Sequence, residues 1–128
     1  MDFNVDIKDL ENRIKSACID TLEDAATIAV GEAQFRCPVD TGALRLSITH
    51  DNVDKNKLSV NVGSSIYYAK YVEEGHNQGS GHVDGRWMIH DGITVADVQM
   101  EGILQQKLGS RFSKWLSIMI YFVELEIV

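Results

Sequence analysis

The chain has 128 residues, of which 45% are hydrophobic and 24% charged, enough apolar content to bury a core and too much for a disordered chain. Nineteen acidic against twelve basic residues give a net charge of −7. That balance excludes the basic footprint of a sequence-specific DNA binder and disfavours an anionic membrane surface as partner. No run of about 18 apolar residues occurs, and Met1-Asp2-Phe3-Asn4 lacks the cationic and apolar regions of a signal peptide.

One long helix, about 6–37, opens the chain in chain order. Leu10, Ile14, Ala17 with Cys18, Leu22, Ala25, Ile28 with Ala29, and Ala33 recur at intervals of three and four. Pro38 cannot continue the helix and marks its end. Residues 1–33 hold eight acidic and three basic side chains, so −5 of the −7 lies on or around this helix. Cys18 and Cys37 are the two cysteines. Nineteen helical residues would hold them roughly 28 Å apart, far beyond disulfide reach, which points to reduced thiols and a reducing compartment.

After Pro38 the period changes to two. Leu44, Leu46 and Ile48 alternate with Arg45, Ser47 and Thr49, then Leu58, Val60 and Val62 alternate with Ser59, Asn61 and Gly63. With a polar stretch between them, these predict a β-hairpin over about 44–63. The aromatic-rich stretch 66–74 fits a short helix or a strand. Residues 75–85 contain four glycines and no periodic apolar residue, which predicts a flexible loop. Thr94 with Asp97 resembles a helix start, and Leu104, Leu108, Phe112 and Trp115 extend a helix over about 95–115. The apolar alternation of 116–127 predicts a final strand. The expected fold is α+β, a single domain over 1–128 with a long N-terminal and a second C-terminal helix packed on a small antiparallel sheet.

Two constellations could carry chemistry. Asp40-Thr41-Gly42 resembles the signature of aspartic proteases, in which two carboxylates from a dimer share a proton. That signature should follow an apolar strand, whereas here it follows a predicted helix. The alternative is a turn capped by Asp and Thr with glycine supplying the backbone freedom. His76, His82 and His90, with Glu73, Glu74 and Asp84, could ligate a metal as a small module around His76, His82 and Asp84. Their spacing spans the Gly-rich segment and lacks the i, i+4 register that would aim two rings at one ion. A solvated polar loop is the competing reading. No phosphate-binding Gly-rich motif occurs.

Pro38-Val39-Asp40-Thr41-Gly42-Ala43-Leu44-Arg45-Leu46-Ser47-Ile48 resembles the Pro-x-Asp-Thr-Gly-x-Leu-Arg-x-Ser-Ile run of a family of tailed-phage neck proteins, the tail-completion or head–tail joining components. Val60-Asn61-Val62-Gly63 and Tyr68-Ala69-Lys70-Tyr71-Val72-Glu73-Glu74-Gly75 are similar to the family's Val-x-Val-Gly and Tyr-Ala-x-Tyr-Val-Glu-x-Gly. Beyond Gly75 the similarity stops: His76 and Arg86-Trp87-Met88-Ile89 stand where family members commonly have Thr and a Pro-Phe-led segment.

The resemblance implies a non-enzymatic virion protein, with no catalytic residue, cofactor or metal. It would assemble with itself as a ring, commonly six-fold, in the neck between a head-side connector and tail-tube or tail-terminator proteins. DNA would pass through the lumen without specific binding, no membrane would be involved, and assembly would take place in the host cytoplasm. It further implies fold or assembly roles for Pro38, Asp40, Thr41, Gly42, Leu44, Arg45, Ser47, Ile48, Gly63, Tyr68, Ala69, Tyr71, Val72, Glu74 and Gly75. Within that set, Leu44 and Ile48 are expected to face the core. Arg45, a charge between apolar neighbours, is expected to answer Glu73 or Glu74.

Overall fold

The computed structural model describes residues 7–38 and 42–127, with side chains through Gly109. Helix α1 (Ile7–Arg36) carries the acidic stripe, and its inner face is built almost wholly of small residues: Ala17, Thr21, Ala25, Ala26, Ala29 and Ala33 are buried. Thr21 is the polar member, and its hydroxyl donates to the Ala17 carbonyl at 2.7 Å, so no polar atom is left unsatisfied there. Helix α4 (Met88–Ile127) packs antiparallel against this stripe. Small faces let the two backbones come close. A Cβ on Gly92 would lie 2.5 Å from the Ala29 carbonyl oxygen and 3.0 Å from the Ala33 nitrogen.

The elements between the two long helices are short. Helix α2 (Gly42–Ser47) is followed by strands β1 (Thr49–His50) and β2 (Val62–Gly63), helix α3 (Ala69–Glu74), and strands β3 (Gly75–Gln78) and β4 (Gly81–Asp84). The strands form two separate antiparallel ribbons, β1 with β2 and β3 with β4. The architecture is α+β.

Four elements differ from the sequence expectation, each for a physical reason. Helix α2 covers 42–47, where alternation over 44–48 predicts a strand. Leu44 and Ile48 are 0% and 2% exposed while Leu46 is 83% exposed, the i, i+4 pattern of a helix and not one face of a strand. The hairpin therefore starts at Thr49. Residues 75–85 are an ordered ribbon, with Gly75 opposite Asp84 and Gln78 opposite Gly81. The second helix begins at Met88, and Thr94 sits inside it with its hydroxyl donating to the His90 carbonyl at 2.9 Å. The predicted strand over 116–127 is the continuation of α4. No proline or glycine interrupts 110–127, and a helix already nucleated adds residues at little cost, which overrides β propensity.

The β1–β2 hairpin is held by two aspartates. Asp54 Oδ1 accepts the backbone N–H groups of Asn56 and Lys57, both at 2.9 Å, which fixes the turn. Asp51 Oδ1 accepts the Asn61 N–H at 2.8 Å, and its Oδ2 accepts the Asn61 side-chain amide at 2.9 Å. These bonds, the backbone one first, hold the Asp51 carboxyl below its ordinary value of 3.8. A lowered folded pKa contributes stability that is present above 3.8 and lost as the pH falls through the folded value. The protection of the Asn61 amide proton, the intrinsic exchange rate at the same pH divided by the observed one, is accordingly expected to fall on acidification from about pH 5 to pH 2. Asp51→Asn should flatten that profile; an unchanged profile would remove Asp51 as the cause.

Candidate functional site

The two motif runs, 38–48 and 60–75, meet in one core cluster. Leu44 and Ile48 from the first run and Ala69 from the second are buried with Ala33, Cys37 and Met88, and Val62, Tyr68 and Val72 pack against them. Polar bonds join the same pieces. The Ser47 hydroxyl donates to the Leu44 carbonyl and contacts the Ser64 hydroxyl next to Gly63. Gln34 of α1 reaches the Ile48 carbonyl at 3.4 Å. Tyr68 meets Tyr67 edge to face at 5.3 Å, and Tyr71, half-exposed, lies edge-on to His76 at 6.2 Å.

Arg45 does not pair with Glu73 or Glu74. Its Nη2 donates to the Cys37 carbonyl at 3.1 Å, a cation laid on the C-terminal end of α1, where the helix dipole and unpaired carbonyls favour it. Arg45 Nε is buried with no hydrogen-bond partner among the described residues. The local reason is distance along the fold: α2 follows α1 directly, whereas Glu73 is committed elsewhere and Glu74 is exposed. Asp40 and Thr41 lie outside the described residues. Pro38 is half-buried, Gly42 opens α2, and the elements flanking 39–41 are both helices. An aspartic-protease signature follows an apolar strand, whereas the described element before this run is a helix.

Glu73 is the residue that sequence reasoning underrated. Its Oε2 accepts the Ile89 N–H at 2.9 Å and its Oε1 accepts the His90 N–H at 2.8 Å, so one carboxylate caps the N-terminus of α4 from another helix. The α3 backbone adds to the junction: the Arg86 N–H donates to the Val72 carbonyl at 2.8 Å and the Trp87 N–H to the Glu73 carbonyl at 3.0 Å. Two glycines make the close approach possible. Gly75 has φ +86°, and a Cβ there would lie 2.4 Å from the Val83 oxygen; one on Gly85 would lie 2.4 Å from the Glu73 oxygen. The signal was present in the sequence, because the motif's Glu-x-Gly places its acid at Glu73 and not at Glu74.

The histidines do not converge. In the β3–β4 ribbon His76 is opposite Val83 and Asn77 opposite His82, so His76 and His82 stand on opposite faces. His82 Nδ1 lies 3.1 Å from Asn77 Oδ1, and its Nε2 lies 3.8 Å from Asp84. His90 belongs to the first turn of α4. Among the described residues no three His, Cys, Asp or Glu side chains come together as a metal site. Cys18 and Cys37 are not joined in a disulfide.

What the fold does present is surface for contact. All four β4 residues are exposed, both ribbons are two-stranded, and Tyr67 (86% exposed), Tyr71, Val83 and Trp87 stand out to solvent around β3–β4. Between α1, the β1–β2 hairpin and α4 lies an open apolar groove of about 220 Å³ lined by Leu22, Ala26, Val60, Ile93 and Met100. It runs on into a second hollow walled by Leu58 and Leu104. No described helix is long and apolar enough to cross a membrane.

No curated protein and no solved structure matches the chain. A family model described as "Bacteriophage HK97-gp10, putative tail-component" matches residues 2–75, which takes in α1, both motif runs and the capping Glu73. The chain belongs to this HK97-gp10-like family of phage tail components.

Proposed function

We propose that the chain is a structural protein of the neck, joining head to tail during tail completion by assembling as a ring, with six subunits as the expected number. Its neighbours are a head-side connector on one side and tail-tube or tail-terminator proteins on the other. It has no catalytic role, and no cofactor or metal enters its action. The observation that carries this reading is the β3–β4 ribbon with its rim of exposed Tyr71, Val83 and Trp87. A two-stranded ribbon is marginal alone in water, and its unpaired edges are templates for a neighbour's strand. A contact between two different surfaces of one subunit repeats from copy to copy and closes into a ring when the rotation between copies divides a full turn.

The charge of −7 suits a lumen through which DNA moves without being gripped, because like charges disfavour contact with phosphates. The test is a phage from which this chain is deleted. DNA-filled heads and finished tails should accumulate unjoined, and wild-type chain supplied in trans should restore joined particles. Joined, infectious particles in the deletion strain would contradict the neck role.

A further inference from the structure

Strand β4 has a strand beside it on one edge only, β3. The ribbon closes through a two-residue turn, Gly79-Ser80, between Gln78 and Gly81. Residues flanking such a turn exchange both main-chain hydrogen bonds, and bonded and non-bonded pairs then alternate along the ladder. Gln78–Gly81 and His76–Val83 are therefore the bonded pairs, and Asn77–His82 and Gly75–Asp84 are not. Gly75 agrees, since its N–H turns away from β4 and donates to the Tyr71 carbonyl. On β4 the N–H and C=O of His82 and Asp84 consequently point outward. They have no main-chain partner among the described residues.

Such an edge is a template for another strand. All four β4 residues are exposed, and the Asp84 side chain is 99% exposed. A second β4, laid antiparallel about a two-fold axis at Val83, completes the edge. His82 of each copy then stands opposite Asp84 of the other. Each of these pairs exchanges two main-chain bonds, so every outward group on both edges is used. The two Val83 side chains meet in the closer, non-bonded pair, on the face each shares with His76.

Side-chain chemistry selects this register. An axis at His82 would set imidazole against imidazole and leave Asp84 opposite the turn residue Ser80. An axis at Asp84 would oppose two carboxylates, which repel. With the axis at Val83, each carboxylate faces an imidazole instead.

We infer that two copies of the free chain pair through their β4 strands, making a four-stranded antiparallel sheet with Val83 at its two-fold axis. The contact is self-complementary and closes at two copies, so it does not propagate a ring. It goes beyond the neck reading as a state before assembly, in which a second copy holds an edge open to a ring neighbour. Strands this short bury little surface, which places the pair in the weak, transient class.

Disulfide trapping of the full chain under mild oxidation tests it, in a Cys18→Ala background that keeps the buried Cys37. Directly opposed, non-bonded residues have Cα atoms about 4.5 Å apart, within disulfide reach. Val83→Cys should therefore form a covalent dimer about tenfold faster than Ser80→Cys at the exposed turn. Charge reversal gives a second readout that needs no new thiol. His82→Asp sets carboxylate against carboxylate at both ends, and should weaken the dimer about tenfold in sedimentation equilibrium. Adding Asp84→Lys to that variant should restore it. Equal trapping at positions 83 and 80, or a double variant as weak as His82→Asp alone, overturns the pairing. The neck role is judged separately by the deletion phage, so the two ideas fail independently.

Discussion

Gly92→Ala is expected to destabilise the protein by about 2 kcal/mol, the cost of forcing a methyl into a packed interface. The sign is the informative part. In an open helix the same exchange stabilises by up to about 1 kcal/mol, because glycine is the poorer helix former. Here the new Cβ would lie 2.5 Å from the Ala29 carbonyl oxygen, a backbone atom that cannot rotate away, and 3.0 Å from the Ala33 nitrogen. Gly102 on the same helix provides the control, since nothing lies within 4 Å of its Cβ position. Gly102→Ala should therefore stabilise, by up to about 1 kcal/mol. Urea denaturation of both variants checks the pair. Equal signs would mean that the helices do not approach at Gly92 as described.

Glu73→Ala should cost about 2 kcal/mol, because it removes a charged acceptor from two helix N-terminal donors at once. Glu73→Gln keeps one acceptor oxygen and should recover part of the loss. Glu74→Ala, at an exposed neighbouring acid, should stay within about 0.5 kcal/mol of wild type. Hydrogen exchange adds a local readout. In the Glu73 variant the Ile89 and His90 amides should lose protection first, and the β3–β4 ribbon, whose base rests on Gly75 and Gly85, should loosen with them. Equal effects from Glu73 and Glu74 would remove the capping role.

These two sites show what the sequence made legible and what it hid. The α1 helix was readable from its spacing, but the spacing does not reveal that the buried members are mostly alanines, and that smallness is what admits Gly92. Leu44 and Ile48 satisfy a strand and a helix equally, since four residues is two strand periods and about one helical turn. Leu46 alone separates the two, and its exposure is settled by tertiary packing. The start of α4 was invisible because its cap is supplied by Glu73, fifteen residues before Met88, whereas capping signals are read locally. The β3–β4 ribbon lacked apolar alternation because its β4 side covers no core. The motif residues were legible as a group, and the structure explains why: Leu44, Ile48, Val62, Tyr68, Ala69 and Val72 meet in one cluster. Which acid worked, Glu73 and not Glu74, and where Arg45 reached, depended on how α2 and α3 are placed.

We propose that this member of a phage tail-component family sits in the neck as a closed ring. Electron cryomicroscopy of purified particles carrying a tagged copy of the chain tests it most directly. Tag density is then expected in a single ring at the head–tail junction. Density repeating along the tail, or particles complete without the chain, would contradict it.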